Sequence, residues 1–357
     1  MNRTLAAFAA LAFVSACGDA SKKDGASDSA AKSTAGTSSA DLTGAGATFP
    51  YPLYSKWVSA YSAKTGVKIN YQSIGSGGGI RQLSEQTVDF GASDAPMSDA
   101  ELAKAKGGSV LHIPTALGAV AVTYNLAEVT TPLNLTGDVV AAIFQGQITR
   151  WNDARIAALN SGVTLPGKDI LVVHRSDGSG TTYVFTDYLA SVSPAWATKP
   201  GKGKDIQWPV GLGGKGNEGV AGQVKQTPGA IGYVELAYAN QNKLSTALIK
   251  NANGEFVAPS IASVTAAAAG AAAKLPAATD YRVSIVNASG AGVYPISSFT
   301  WILAYEKQSN PAKGKSLVAF LRWALSAEGQ GMEAALDYAP LPETMRTALL
   351  TRLDTIK

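Results

Sequence analysis

Arg175-Ser176-Asp177-Gly178-Ser179-Gly180-Thr181 is the stretch of this chain best equipped for chemistry. The apolar run Val172-Val173 leads through His174 to an arginine, then a Gly/Ser-rich turn, then a helix start. The first N–H groups of a helix have no intrahelical acceptor and carry partial positive charge, so they suit an anion. Glycine lets the backbone approach that anion and hydroxyls add donors. The arginine brings a full charge on a planar fork matched to phosphate or carboxylate.

Two more loops repeat the device. Gly44-Ala45-Gly46-Ala47-Thr48-Phe49-Pro50 sets small residues and a hydroxyl before a helix whose first turn suits Pro50. Ile74-Gly75-Ser76-Gly77-Gly78-Gly79 stands between a strand-like and a helix-like segment. One such turn is ordinarily only a connection. Three in one chain, each with Ser or Thr at the helix start, point to a shared anion site.

Asp94 is the odd member. Val88-Asp89-Phe90-Gly91-Ala92-Ser93-Asp94 ends an apolar segment on a carboxylate just before a turn. A carboxylate facing an anion makes sense once the ligand's protons are counted. Phosphate near neutral pH still carries one, which Asp94 can accept; sulfate has none, and two negative groups would be opposed in a dry site. On the residues alone the plainer alternative stays open, that Asp94 or Ser93 only caps the next turn.

These loops need a scaffold of alternating strands and helices. Tyr54, Trp57, Val58 and Tyr61 recur at helical spacing from near Pro50, and 67–74 reads as a strand. Ser98-Asp99-Ala100-Glu101 is a capping box. Further strands are expected at 111–113, 119–123, 230–234, 283–286 and 300–305. Helices are expected at 151–159, 313–327 and 342–353, with an alanine-rich surface helix at 264–275. This alternation predicts an α/β fold.

The bulk numbers exclude whole classes. At 357 residues there is room for two ordinary domains. Charged residues are 16% and the formal charge is +4, with no basic block, so general nucleic-acid binding is not expected. The N-terminus reads as processing signal: Arg3, an apolar run from Leu5 to Ala16, then Val14-Ser15-Ala16-Cys17. That run is too short to span a membrane. Cys17 is the only cysteine, so no intramolecular disulfide can form. The arrangement resembles the lipobox of a bacterial lipoprotein, with 1–16 as signal peptide and Cys17 lipidated. An ordinary signal peptide is the plainer reading. From Gly18 to Ala40 only Gly, Ala, Ser, Thr, Asp and Lys occur, so 17–40 reads as a tether. As a flexible coil it would reach roughly 25–30 Å.

Enzymatic readings fare poorly. Asp177-Gly178-Ser179-Gly180 has Asp177 where a G-x-S-x-G nucleophile elbow has its first glycine. The two histidines, His112 and His174, show no metal-ligand spacing, and no dense carboxylate cluster replaces them, so no metal or cofactor is expected. Gly211-Leu212-Gly213-Gly214-Lys215-Gly216 contains G-x-G-x-x-G formally, but Trp208-Pro209 precedes it where a strand is needed. A tight loop leading to a helix near Glu218 is expected instead.

Taken together, the segments LTGAGATFPYPLYSKW from Leu42, NYQSIGSGGGIRQL from Asn70, VDFGASDAPMSD from Val88 and HRSDGSGTTYVFTDYL from His174 carry a resemblance. So do WPVGLGGKGNEGVA from Trp208, PGAIGYVELAYA from Pro228 and LDYAPLP from Leu336. The chain resembles the phosphate-binding proteins of bacterial high-affinity phosphate ABC transporters, the Pst system. The resemblance implies a two-lobed periplasmic binding-protein fold (type II) with ligand in the cleft. Lobe one would be 42–115 plus 296–357 and lobe two 116–295. It implies capture of inorganic phosphate without turnover, and delivery to permease subunits with their ATPase. Position by position, Thr48, Phe49 (through its N–H), Ser76, Asp94, Arg175, Ser179, Gly180 and Thr181 match the phosphate-binding residues, and Asp177 matches an aspartate that holds the arginine. His174 departs from the basic residue expected there and alternates away from Arg175. A monomer in the periplasm, anchored through Cys17, is the expected form. Another oxyanion (sulfate, molybdate or a phosphonate) or a phosphatase is the competing reading.

Overall fold

The computed structural model describes residues 40–272 and 280–357. The expected signal peptide, Cys17 and all of the tether but Ala40 lie outside the described residues.

The N-terminal part alternates as read. Strand β1 (Leu42–Gly46) leads to helix α1 (Tyr51–Thr65), then β2 (Ile69–Ser73), helix α2 (Ser76–Ser84) and β3 (Phe90–Ser93). Helix α1 begins with proline in its first turn and ends at Gly66, whose φ of 78° lets its N–H return to the Ser62 carbonyl at 2.8 Å. Leu53, Tyr54, Trp57 and Tyr61 form its buried face. The capping box at Ser98 is present, with Ser98 and Glu101 each accepting the other's backbone N–H.

The two strands expected at 111–113 and 119–123 are one strand, β4 (Val110–Tyr124). Pro114 looks like a break but is absorbed by a bulge. Pro114 pairs with Trp301 and Ala116 with Thr300, leaving Thr115 as the extra residue. After β4 come β5 (Leu171–Arg175), helix α3 (Gly180–Val192), β6 (Leu212–Gly214), helix α4 (Gly216–Gln226) and β7 (Ala230–Glu235). The glycine-rich 211–216 run is thus partly an edge strand rather than wholly a loop, because Leu212, Gly213 and Gly214 pair with Val173, His174 and Arg175. Strand β8 (Ser297–Tyr305) and helix α5 (Pro311–Ala324) follow.

These strands make one nine-stranded mixed sheet in the order β2-β1-β3-β8-β4-β7-β5-β6, with Ser245–Thr246 added beside β4. Strand β4 changes partner along its length. Residues 110–119 pair antiparallel with β8, and residues 120–124 pair antiparallel with β7. The sheet therefore has two halves sharing β4, each with its own aromatic core. One gathers Tyr54, Trp57, Tyr61, Tyr71, Phe90 and Phe320; the other gathers Phe144, Phe185, Trp196, Trp208 and Tyr233.

Three further expectations shift. The 151–159 helix contracts to Ala154–Ala157 behind an Asp153 cap, with Trp151 buried and donating to the Gly229 carbonyl. The 283–286 run is no strand. Tyr281 and Asn287, both at positive φ, bend the chain at either end, although Ile285 is buried as its alternation demands. The alanine-rich helix, Ile261–Ala272, is not purely a surface element, since Val264, Ala267 and Ala268 are buried; 273–275 lie outside the described residues. The helices expected at 313–327 and 342–353 run Pro311–Ala324 and Glu343–Arg352, close to expectation.

Candidate anion site

The three Gly/Ser-rich or Thr-bearing turns leave the C-terminal ends of parallel strands and enter helices, the edge of an α/β sheet where ligands bind. From the first half, β1 delivers Thr48 and Phe49, the start of α2 delivers Ser76, and Asp94 follows β3. Thr48, Phe49, Ser76 and Asp94 are each at most 2% exposed. Tyr238 donates to the Thr48 carbonyl at 2.6 Å and Tyr338 to the Phe49 carbonyl at 2.6 Å. That pins the loop by its oxygens. Among the described residues nothing accepts the Phe49 N–H.

Asp94 is gripped from its own half. Thr300 donates to Oδ1 at 2.8 Å, and the Ser76 hydroxyl lies 3.5 Å from Oδ2 while accepting the Asp94 N–H at 3.2 Å. Burial dominates its titration and pushes the carboxyl up to about 7, against the hydrogen bond from Thr300, the Arg175 charge and the Ser76 hydroxyl. It is a carboxyl that holds or releases one proton near neutrality.

The second half supplies the cation. Arg175 closes β5 with its side chain 1% exposed. Asp177 takes its Nε at 2.8 Å and Nη2 at 2.6 Å in a bidentate pair, and also accepts the Gly216 N–H at 3.0 Å. Although burial alone would raise it, the Arg175 partner leaves Asp177 below the usual carboxylate range. The remaining Nη1 points to Thr181 Oγ1 at 3.4 Å. Ser179 caps α3, its Oγ accepting the Thr182 N–H at 3.0 Å while its own N–H goes to the Lys204 carbonyl. Among the described residues nothing accepts the N–H groups of Gly180 and Thr181, the first-turn donors of the helix.

The two halves meet here. Gly77 N–H donates to the Gly178 carbonyl at 2.8 Å. Gly180 abuts the other half so closely that a Cβ would stand 2.5 Å from both Asp94 Oδ2 and Ser76 Oγ. Asn217 bridges the threonines, its Nδ2 donating to Thr48 Oγ1 at 2.8 Å and to Thr181 Oγ1 at 3.1 Å. Two salt bridges, Lys204 to Glu101 and Arg282 to Asp99, also join the halves. The result is a lining of donors with one arginine and one acceptor, Asp94.

Neither histidine serves this lining. His112 Nε2 accepts the Met97 N–H, and His174 stacks on Trp208 with ring centroids 4.7 Å apart, donating from Nδ1 to the Arg175 carbonyl. No base among the described residues is hydrogen-bonded to Ser179 Oγ. Among the described residues, no three His, Cys, Asp or Glu converge as they would on a metal ion.

Several partners were not foreseen. Thr300 and Tyr338 are distant in sequence from the glycine-rich loops. Asn217 is a polar residue at the start of a helix after a glycine run, and that same signal, already read at the other loops, would have found it. Glu235 is fully buried, with Oε2 taking the Ala237 N–H and lying 3.1 Å from Tyr338 Oη; burial drives it well above the usual carboxylate range.

The sequence model of the PBP superfamily domain matches residues 31–328. The phosphate-binding protein PstS of Xylella fastidiosa (strain Temecula1) is 48% identical over 310 residues, covering 87% of this chain and 84% of its own. The phosphate-binding protein PstS of Pasteurella multocida is 47% identical over 308 residues, covering 86% and 88%. Among solved structures, a phosphate-binding protein from Stenotrophomonas maltophilia superimposes with a TM-score of 0.68 at 23% identity, covering 87% of this chain and 93% of its own. A phosphate-bound transporter substrate-binding protein from Clostridium perfringens gives 0.62 at 18%, covering 85% and 100%.

Proposed function

Because the chain belongs to the PstS family of phosphate-binding proteins and has the type II periplasmic binding-protein fold, we propose that it captures inorganic phosphate between the two halves of its sheet. It releases the ion unchanged to an ABC permease with its ATPase. The observation that carries this is the convergence of donors from both halves on one buried arginine and one buried acceptor.

In this reading lobe one is 42–115 plus 296–357 and lobe two is 116–295. The partner exchange within β4, between Ala119 and Val120, supports a boundary there to within a few residues. Phosphate takes the N–H groups of Phe49, Gly180 and Thr181, the hydroxyls of Thr48, Ser76, Ser179 and Thr181, and the Arg175 guanidinium. Its one remaining proton goes to Asp94. Asp177 holds the guanidinium in place. Charge-assisted hydrogen bonds contribute about 1.5–3 kcal/mol each, and micromolar affinity needs only about 8 kcal/mol net. Several such bonds suffice even after the costs of association and closure. Since both lobes contribute, phosphate favours the closed arrangement through contacts the open one lacks.

The protein acts outside the cytoplasm as a monomer, held to a membrane through lipidated Cys17 and the following tether. No described helix is long and apolar enough to cross a membrane. In this reading it binds without turnover, and among the described residues no base is hydrogen-bonded to Ser179. A thermal-shift panel of oxyanions on the purified chain tests the reading. Phosphate raises the melting temperature at micromolar concentration and sulfate does not; a shift with sulfate or molybdate instead transfers the site to that ion.

A further inference from the structure

Resting on the phosphate reading, we infer that Asn217 is a positioning residue that sets the polarity of the site by forcing the hydroxyls of Thr48 and Thr181 to act as donors. A threonine hydroxyl has one hydrogen and two lone pairs, and its hydrogen rotates to whichever neighbour needs it. Left alone, such a group would present a lone pair to an anion as readily as a hydrogen. Here the lone pairs are spoken for. Thr48 Oγ1 accepts the Asn217 side-chain Nδ2 at 2.8 Å and its backbone N–H at 3.2 Å. Thr181 Oγ1 accepts the same Nδ2 at 3.1 Å and Arg175 Nη1 at 3.4 Å. Each hydroxyl has only its hydrogen left to offer.

The amide cannot turn over to spoil this. Its Oδ1 accepts the Glu235 N–H at 2.9 Å, which keeps Nδ2 on the threonine side. Asn217 is 0% exposed, so no water competes for these bonds, and it sits at the second position of α4 in the second half while reaching Thr48 in the first. One buried amide thus orients a donor in each half. The lining becomes uniformly donating except at Asp94, which is the pattern an oxyanion with a single proton requires.

The test is a pair of double-mutant cycles on the full-length chain, reading the phosphate dissociation constant by calorimetry. Asn217→Leu keeps the branched four-atom outline of the side chain and removes the donors. It weakens phosphate by about tenfold to a hundredfold, the scale of misdirected buried hydrogen bonds. In a Thr48→Val background, and separately in Thr181→Val, the same leucine substitution costs at least threefold less, because one hydroxyl it controlled is gone. An equal loss in all three backgrounds means that Asn217 acts by packing or hinge geometry, and overturns the inference. Should the leucine variant not fold, Asn217→Asp runs the same cycles with the same two outcomes, since a general charge effect does not depend on the threonine hydroxyls. If the unmutated chain ignores phosphate, the functional reading falls; if it binds and the cycles show no coupling, only this inference does.

Discussion

Gly180 and Asp94 come from opposite halves of the sheet, yet a Cβ on Gly180 would stand 2.5 Å from the Asp94 carboxylate oxygen. Asp94 is held by Thr300 and Ser76 and cannot give way. A methyl group there should block closure while leaving α3 intact, since alanine is the better helix former. Gly180→Ala is expected to weaken phosphate at least about a hundredfold with no loss of melting temperature in the ligand-free protein. Calorimetry and a melting curve check both halves of that statement; unchanged affinity would show that the two groups separate in the liganded form.

Asp94→Asn keeps one acceptor oxygen for Thr300 but puts an NH2 donor where the ligand's proton was accepted, and it removes the like charge that excludes sulfate. Phosphate should weaken by roughly tenfold to a hundredfold, and sulfate should begin to bind. The unmutated chain offers a related check. Burial pushes its Asp94 up to about 7, so at pH 5 the carboxyl is protonated and can donate to an oxygen that has no proton of its own. Sulfate should therefore compete with phosphate better at pH 5 than at pH 8. Competition of equal strength at both values would remove Asp94 as the discriminating group.

The same carboxyl leaves a mark on stability. Its folded-state pKa of about 7 lies above the ordinary 3.8, so the folded protein binds an extra proton between those values. The stabilisation is full below about pH 4 and is lost as the pH rises through about 7, on the order of a few kcal/mol. Asparagine does not titrate. In phosphate-free buffer, the melting temperature of Asp94→Asn relative to the unmutated chain should climb from pH 5 to pH 8. A flat difference would mean the carboxyl is better solvated than its burial indicates.

Arg175 and Asp177 should separate in effect. Arg175→Lys loses the fork that serves Asp177 and Thr181 together, and phosphate should weaken by at least about a hundredfold. Asp177→Asn keeps the guanidinium and one neutral acceptor oxygen for it, so its cost to phosphate should stay near tenfold or below. Titration of both variants checks the order; a larger loss for the asparagine variant would make Asp177 more than a brace.

Much of this site could be read from local sequence because its parts follow one rule. Thr48, Ser76 and Arg175 to Thr181 lie where a strand hands over to a helix, and glycine with a hydroxyl residue marks each handover. Asp94 was legible as a charge at the end of an apolar run. What escaped was set by distant chain. Thr300 reaches Asp94 from 206 residues away and Tyr338 reaches Phe49 from 289. No local pattern announces such pairs. The fold was misread where a local rule lost to sheet pairing. The strands expected at 111–113 and 119–123 are one, because the bulge opposite Trp301 carries β4 past Pro114 and makes it the strand common to both halves. Conversely, 283–286 had a strand's composition but positive φ at Tyr281 and Asn287 turns the chain away.

The central claim is selection by proton count in a site lined with donors. The most direct measurement is calorimetric titration of the purified full-length chain with phosphate and then sulfate at pH 8. Saturable phosphate binding at micromolar affinity or tighter, with sulfate at least about a thousandfold weaker, is the predicted result. Equal affinity for the two ions, or no heat with phosphate, would contradict it.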